Sequence, residues 1–331
     1  MGQIEERHSH TTKKIEGLRG ILKKASDLLG DDACVYATGS FGRLEAGEQS
    51  DLDLFILTLD KRDRGNALEG SRLSGLDAIC VKAELINATN NLGIPEFDGD
   101  GRYLVHYSVQ DFTRTLGTPE DDVTNTFTAR LLMLLESTPL LSTPVYDSAL
   151  KQVLAAYFRD YQDHSNDFMP AFLSNDILRL WRTFCVNYEA RTERTPEDKK
   201  KKGKLKNYKL KHSRLLTCYS SLLYLLAVYN RNNTLAPSDV VSMVGLTPLK
   251  RLEWIAQQDD YSYSINTIQS LITQYENFLV STADEAKLAD KLMDKNEGKP
   301  YFASTYEFGN TMFTALNEVG KGSRFHRLLV V

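Results

Sequence analysis

Residues 39–57, Gly-Ser-Phe-Gly-Arg-Leu-Glu-Ala-Gly-Glu-Gln-Ser-Asp-Leu-Asp-Leu-Phe-Ile-Leu, decide the reading of this chain. Ahead of them, Ala33 to Thr38 reads as a short strand that Gly39-Ser40 breaks. Behind the polar loop, Asp51 to Thr58 alternates acid with apolar and then runs apolar, a second strand. Alternate side chains of a strand share a face, so Asp51 and Asp53 converge on one spot. Two adjacent carboxylates repel, and the pair costs stability unless a cation lies between them. Hard oxygen donors of this kind suit Mg²⁺, which keeps several waters and takes phosphate oxygens from a substrate. Upstream, the backbone amides at Gly39 and the Ser40 hydroxyl end a strand where they are placed to hold an anion, and Arg43 is within reach of phosphate or of the carboxylates. Singly these fragments are common; a strand, Gly-Ser, a short gap, Ser50-Asp51-x-Asp53 and an apolar strand in succession are not.

Working outward, Ile15, Leu18, Ile21, Leu22, Ala25, Leu28 and Leu29 give helical spacing over Thr12–Leu29, closed by Gly30. Residues 60–72 read as a charged loop or short helix, 73–92 as a helix, and Tyr103–Val109 as a third strand. Beyond Asp122 the pattern is helices only, with apolar stripes over 123–137, 146–164, 174–190, 205–229, 248–257, 264–282 and 284–295. The fold class expected is therefore α+β. A small mixed-sheet domain over residues 1–122 precedes an all-helical domain over 123–331, with a cleft between the lobes.

The 331 residues are 42% hydrophobic and 25% charged, the proportions of a globular protein, which exclude wholesale disorder. No apolar run nears the ~20 residues of a membrane span, and the charged start Met1–Glu6 does not resemble a signal peptide, so a cytoplasmic protein with no membrane partner is expected. Cys34, Cys80, Cys185 and Cys218 have no metal-binding or disulfide spacing and read as buried reduced thiols. Net charge is −4, yet residues 199–214 hold nine Lys or Arg and no acid.

The 39–57 segment resembles the signature of the DNA polymerase β-like nucleotidyltransferase superfamily, Gly-Ser followed by Asp-x-Asp on the next strand. Its form is similar to the uridylyltransferase domain of the bacterial enzymes that modify PII signal proteins. Fainter likeness extends to Leu104–Val109, to the helix ending Thr128-Ala129-Arg130-Leu131-Leu132, and to Asn207-Tyr208-Lys209-Leu210-Lys211. The resemblance implies a polymerase β-like palm in which Gly39, Ser40, Arg43 and Ser50 meet the nucleotide. Asp51 and Asp53 are then the catalytic metal ligands, holding two Mg²⁺ ions, or Mn²⁺ in their place. It implies a transferase that binds an NTP such as ATP and moves an NMP to a hydroxyl of a protein, RNA or nucleotide acceptor, releasing pyrophosphate. The superfamily carries a third carboxylate on a later strand, and Leu104 falls at that slot; Glu96, Asp98, Asp100 or His106 are the replacements to hand. A chain lacking that ligand would be a weakened nucleotide-binding regulator. Other expectations are an oligonucleotide second-messenger synthase or a toxin-like tRNA nucleotidyltransferase of phage defence.

In the helical part, Asp176, Arg179, Thr183 and Asn187 form a polar stripe. Lys199 to Lys204 reads as a mobile loop; from Leu205 a helix begins on which Lys209, Ser213 and Thr217 recur every four residues, with Lys206 a turn earlier. That face suits β- and γ-phosphates, and the resemblance points to Lys206, Lys209 and Ser213 as nucleotide-binding; a polyanionic acceptor such as RNA is the other reading of the patch.

Overall fold

A computed structural model of the chain describes residues 2–62, 67–97, 104–192 and 197–329. The chain divides into two units, the first ending at Arg159 and the second beginning at Asp160. The first is α+β. It runs α1 (Gln3–Ile21), α2 (Lys23–Leu29), β1 (Ala33–Thr38), α3 (Gly39–Gly42), β2 (Asp53–Thr58), β3 (Asp60–Arg62), β4 (Ala67–Ser71) and α4 (Gly75–Asn91). Then come β5 (His106–Ser108), α5 (Val109–Arg114), α6 (Glu120–Val123), α7 (Thr126–Leu135), β6 (Thr138–Leu141) and α8 (Thr143–Tyr157). Four strands form one mixed sheet in the order β5-β2-β1-β6. β1 pairs antiparallel with β2 and β6, and β2 pairs parallel with β5 across the α4 crossover.

Side-chain parity sorts this sheet into two faces. Val35 and Ala37 of β1 and Leu54 and Ile56 of β2 pack, together with Leu52, against Ile15, Leu18, Leu22, Ala25 and Leu29 of the first two helices and Ala78, Val81, Leu85 and Ala88 of α4. The opposite face is aromatic: Tyr36 stacks on Phe55 at 5.6 Å and meets Tyr146 of α8 at 5.7 Å, and Phe55 meets Tyr107 at 6.2 Å. Beneath α8, Arg130 of α7 is fully buried; it makes two hydrogen bonds to Asp121 at 2.9 and 2.6 Å and others to the Phe112 carbonyl and the Tyr157 hydroxyl.

Several elements differ from the sequence reading. Within the charged stretch 60–72, expected as a loop or short helix, Asp60–Arg62 and Ala67–Ser71 pair as the β3–β4 ladder. Helices do not take over after residue 122, because Thr138-Pro139-Leu140-Leu141 returns as β6. A proline has no N–H for a ladder and is tolerated on an edge strand, which is where β6 lies. Residues 123–159 accordingly pack with the sheet unit instead of the helical one. The third strand is only three residues long, ended by a reciprocal Ser108–Asp111 cap that starts α5 at Val109. Cys34 and Cys218 are buried, but Cys80 is exposed and Cys185 half-exposed.

The second unit is helical: α9 (Ala171–Thr192), α10 (Glu197–Lys209), α11 (Leu215–Asn232), α12 (Pro237–Val244), α13 (Pro248–Ala256), α14 (Ile265–Ser281), α15 (Glu285–Met293), α16 (Gly298–Gly320) and α17 (Arg324–Leu328). Lys199 to Lys204 lies inside α10 and not in a loop, and a π-helical turn, Leu210–Arg214, joins α10 to α11. The sequence reading stops short of α12, α16 and α17. In the core His212 lies between Phe278 and Phe308, at ring separations of 4.7 and 5.2 Å, and burial pushes its pKa down to about 4. Among the described residues no helix is long and apolar enough to cross a membrane.

Candidate active site

The bend after β1 is built around two glycines. Gly39 has φ +63°, a left-handed conformation that side chains rarely adopt. A Cβ there would lie 2.6 Å from Oδ2 of Asp53, so the absent side chain is what lets that carboxylate lean against the bend. Register explains the meeting: Thr38 pairs with Asp53 across the β1–β2 ladder. A Cβ on Gly42 would lie 2.1 Å from the Glu136 carbonyl, so this position too must stay bare for the chain to pass α7's end. Ser40 is half-buried on the single turn α3.

The loop from Arg43 to Ser50 is tied down from both ends. Thr11 of α1 accepts from the Ala46 amide at 2.8 Å, and Arg7 donates to the Glu45 carbonyl at 3.3 Å. Ser50 Oγ accepts from the Gly47 amide at 3.0 Å while the Ser50 amide donates to the Gly47 carbonyl at 3.1 Å, making a closed turn that delivers the chain to Asp51. Asp51 precedes β2, yet burial still alternates: Asp51 and Asp53 are half-exposed, and Leu52 and Leu54 between and beyond them are in the core. Asp53 thus shares the face of Thr38 and Phe55, while Asp51 lies two residues ahead of the strand. Thr38 was not foreseen. It is buried, and its hydroxyl has no hydrogen-bond partner, on the residue directly paired with Asp53.

Arg43 is placed otherwise than the sequence suggests. It is buried, with Nε 2.9 Å from Glu45 and Nη1 2.7 Å from Glu136, so its guanidinium joins the loop to the end of α7. Removing one partner of a buried ion pair strands the other and costs about 3–5 kcal/mol. Arg43→Ala is therefore expected to lower the melting temperature substantially, read by thermal denaturation; a variant as stable as the parent would show the pairing to be incidental.

Parity also relocates the third-ligand question. The β2–β5 register sets Ile56 against His106 and Leu57 against Tyr107. Leu104 is buried in the helix-covered core with Leu52, Leu54 and Ile56, so it lies on the other face from the aspartates. His106 shares the face of Ile56 and does not join Asp53; burial and the nearby Lys82 lower its pKa. Glu96 is exposed, and Asp98 and Asp100 lie outside the described residues. Among the described residues no three His, Cys, Asp or Glu side chains converge as a metal site.

The residues expected from the helical part all lie in the second unit, and the π turn alters the phase of Ser213 and Thr217 relative to Lys206 and Lys209. Lys206 is exposed, Lys209 is ion-paired with Glu285, and Ser213 and Thr217 are buried, so the three-turn polar face is not presented to solvent. On α9, Asp176 is buried, while Arg179, Thr183 and Asn187 line a groove of about 440 Å³ with Leu178, Val186 and Leu328.

Comparison with known proteins bears on the first unit. Residues 18–102 match the family model described as a nucleotidyltransferase domain, a span that takes in the glycine bend and both aspartates. No curated protein and no solved structure matches the chain. With the bend, the strand pair and the match coinciding, residues 18–102 are a nucleotidyltransferase domain of the polymerase β-like superfamily, whose general chemistry is the transfer of an NMP.

Proposed function

We propose that this chain is a Mg²⁺-dependent transferase that takes an NMP from an NTP and attaches it to a hydroxyl acceptor, releasing pyrophosphate. The observation that supports this is the seating of the Asp53 carboxylate against Gly39, which sets an acid beside the Gly39-Ser40 bend at the strand ends. The donor set fits such an ion. Mg²⁺ is held by one or two carboxylates and completes its shell with substrate phosphates and water, so Asp51 and Asp53 suffice for one ion presented by the nucleotide. When bound, a divalent ion there supplies charge neutralisation to the triphosphate and a lowered pKa to the attacking hydroxyl.

The chain's own residues do the rest. Gly39 and Ser40 offer backbone N–H groups and a hydroxyl to phosphate oxygens, and the tethered 43–50 loop keeps Asp51 in place beside them. Thr38 supplies a hydroxyl with no protein partner, on the face of Asp53. A buried, unpaired hydroxyl is a net cost to the fold. Thr38→Val is accordingly expected to leave the melting temperature unchanged or raised and to slow transfer; a variant both less stable and fully active would contradict this.

The test of the proposal is incubation with each of the four NTPs, labelled in turn at the α-phosphate, with Mg²⁺. Products are resolved as protein, RNA and small molecules, and pyrophosphate is measured in parallel. Label in any acceptor with stoichiometric pyrophosphate supports the transfer. Absence of label with every NTP, against the protein itself, total RNA and nucleotides, rejects it.

A further inference from the structure

The lysine run has two faces. Lys201, Lys204 and Tyr208, spaced i, i+3, i+7 along α10, turn into the unit: Lys201 pairs with Asp290, Lys204 donates to the Leu292 carbonyl at 3.0 Å and sits 6.0 Å over the Phe302 ring, and Tyr208 is buried. Lys199, Lys202 and Lys206 have the same spacing on the opposite side. They are exposed, and among the described residues they and the neighbouring Lys200 have no ion-pair partner. At 1.5 Å per residue the outer three span roughly 10 Å of helix. The inner contacts with α15 and α16 hold this row in place, so its like charges are set side by side without relief.

A membrane surface is a poor match for this face, because Gly203 is the uncharged residue set among its exposed lysines and the row offers no apolar side chain to insert. The π turn beyond α10 adds a feature that the sequence spacing hides. Lys211 lies 4.9 Å over the ring of Tyr306 from α16, a residue that is 66% exposed. A cation beside an exposed aromatic is a platform for an unpaired base; this one is on the α16 flank of the helix, where Lys204 also meets Phe302, around the axis from the outer lysines, whose row suits a phosphate backbone.

We infer that the exposed lysines of α10's outer face bind the sugar-phosphate backbone of a single-stranded nucleic acid, with Lys211 and Tyr306 on the α16 flank as the place where a base stacks. The inference goes beyond the transfer reaction and does not depend on it, since binding needs neither NTP nor metal.

Fluorescence anisotropy on the full chain with a labelled single-stranded RNA of about 20 nucleotides tests it, in EDTA and without NTP. Wild type is expected to bind, weakening roughly 50-fold between about 50 and 200 mM salt for four backbone contacts. The triple variant Lys199→Glu, Lys202→Glu, Lys206→Glu is expected to bind at least tenfold more weakly and to lose about 2 from the slope of log affinity against log salt. Its circular dichroism and melting curve should match wild type. A charge-matched variant, Lys23→Glu, Lys151→Glu, Lys321→Glu, reverses three exposed lysines elsewhere and is expected to stay within about twofold of wild type. Tyr306→Ala should weaken binding with the salt slope unchanged. The proposal is overturned if wild type does not bind, if the two triple variants weaken equally, or if the helix variant binds as wild type does. It is also overturned if poly-glutamate displaces the RNA at equal charge, which would mark the face as a site for an acidic protein.

Discussion

Asp53→Asn is expected to abolish NMP transfer, lowering kcat/KM by at least about 10³-fold, or roughly 4 kcal/mol of transition-state stabilisation. The substitution keeps the shape that lies against Gly39 and removes only the charge. Asp53 heads β2 and is half-exposed, so stability should change by less than about 1 kcal/mol, and loss of activity would not be loss of fold. Titrating Mg²⁺ against each protein makes the comparison sharper, because a metal-ligand role predicts that the variant needs more Mg²⁺ for half its maximal rate as well as turning over more slowly. An Asp53→Asn protein retaining a tenth or more of the parent rate would remove Asp53 from the chemistry.

The largest expected effect on stability lies elsewhere in the first unit. Arg130→Met removes both hydrogen bonds to Asp121 and leaves that carboxylate buried, with the hydroxyl of Thr126, 2.8 Å away, as a remaining partner. A stranded buried charge costs about 3–5 kcal/mol, a large fraction of the stability of most domains. Chemical denaturation should show it directly, and adding Asp121→Asn should restore part of the loss, because the cost belongs to the unpaired charge. A loss below about 1 kcal/mol would mean that the pair is solvated. Acid should act at the same place. Burial by itself raises the Asp121 pKa, but the hydrogen bonds and charge of Arg130 outweigh it and hold the group below its ordinary value of 3.8. A carboxylate depressed in the folded state contributes stability above its unfolded pKa and loses it as pH falls through the folded one. The Arg130→Met protein should therefore show less of the unfolding transition's dependence on pH below about 4 than the parent does.

What could be read from the sequence, and what could not, follows from how far each signal reaches along the chain. The glycine bend and the two strands are local features and appear close to where the spacing puts them, though β2 begins at Asp53 and leaves Asp51 ahead of it. The α1–α2 stripe was equally legible, though the helix begins nine residues before Thr12 and breaks at Leu22. Long-range pairing was not. Nothing in the sequence near Arg43 tells that Glu136 will arrive to occupy it, and nothing near Thr138 tells that a proline-bearing segment will close the sheet's edge. The Lys209–Ser213 face failed for a different reason: five residues of π turn shift the phase of everything after it, and a period of 3.6 does not detect that. Leu104 lies on the helix-covered face, away from Asp53, and in a strand a single step exchanges the two faces.

That exchange has a practical consequence for anyone redesigning this domain. An acidic side chain introduced at 104 would be entombed among leucines and would unfold the sheet before it could serve any ion. Val105, already open to solvent and two residues ahead of Tyr107 on the aromatic side, is where a new anionic donor should be installed.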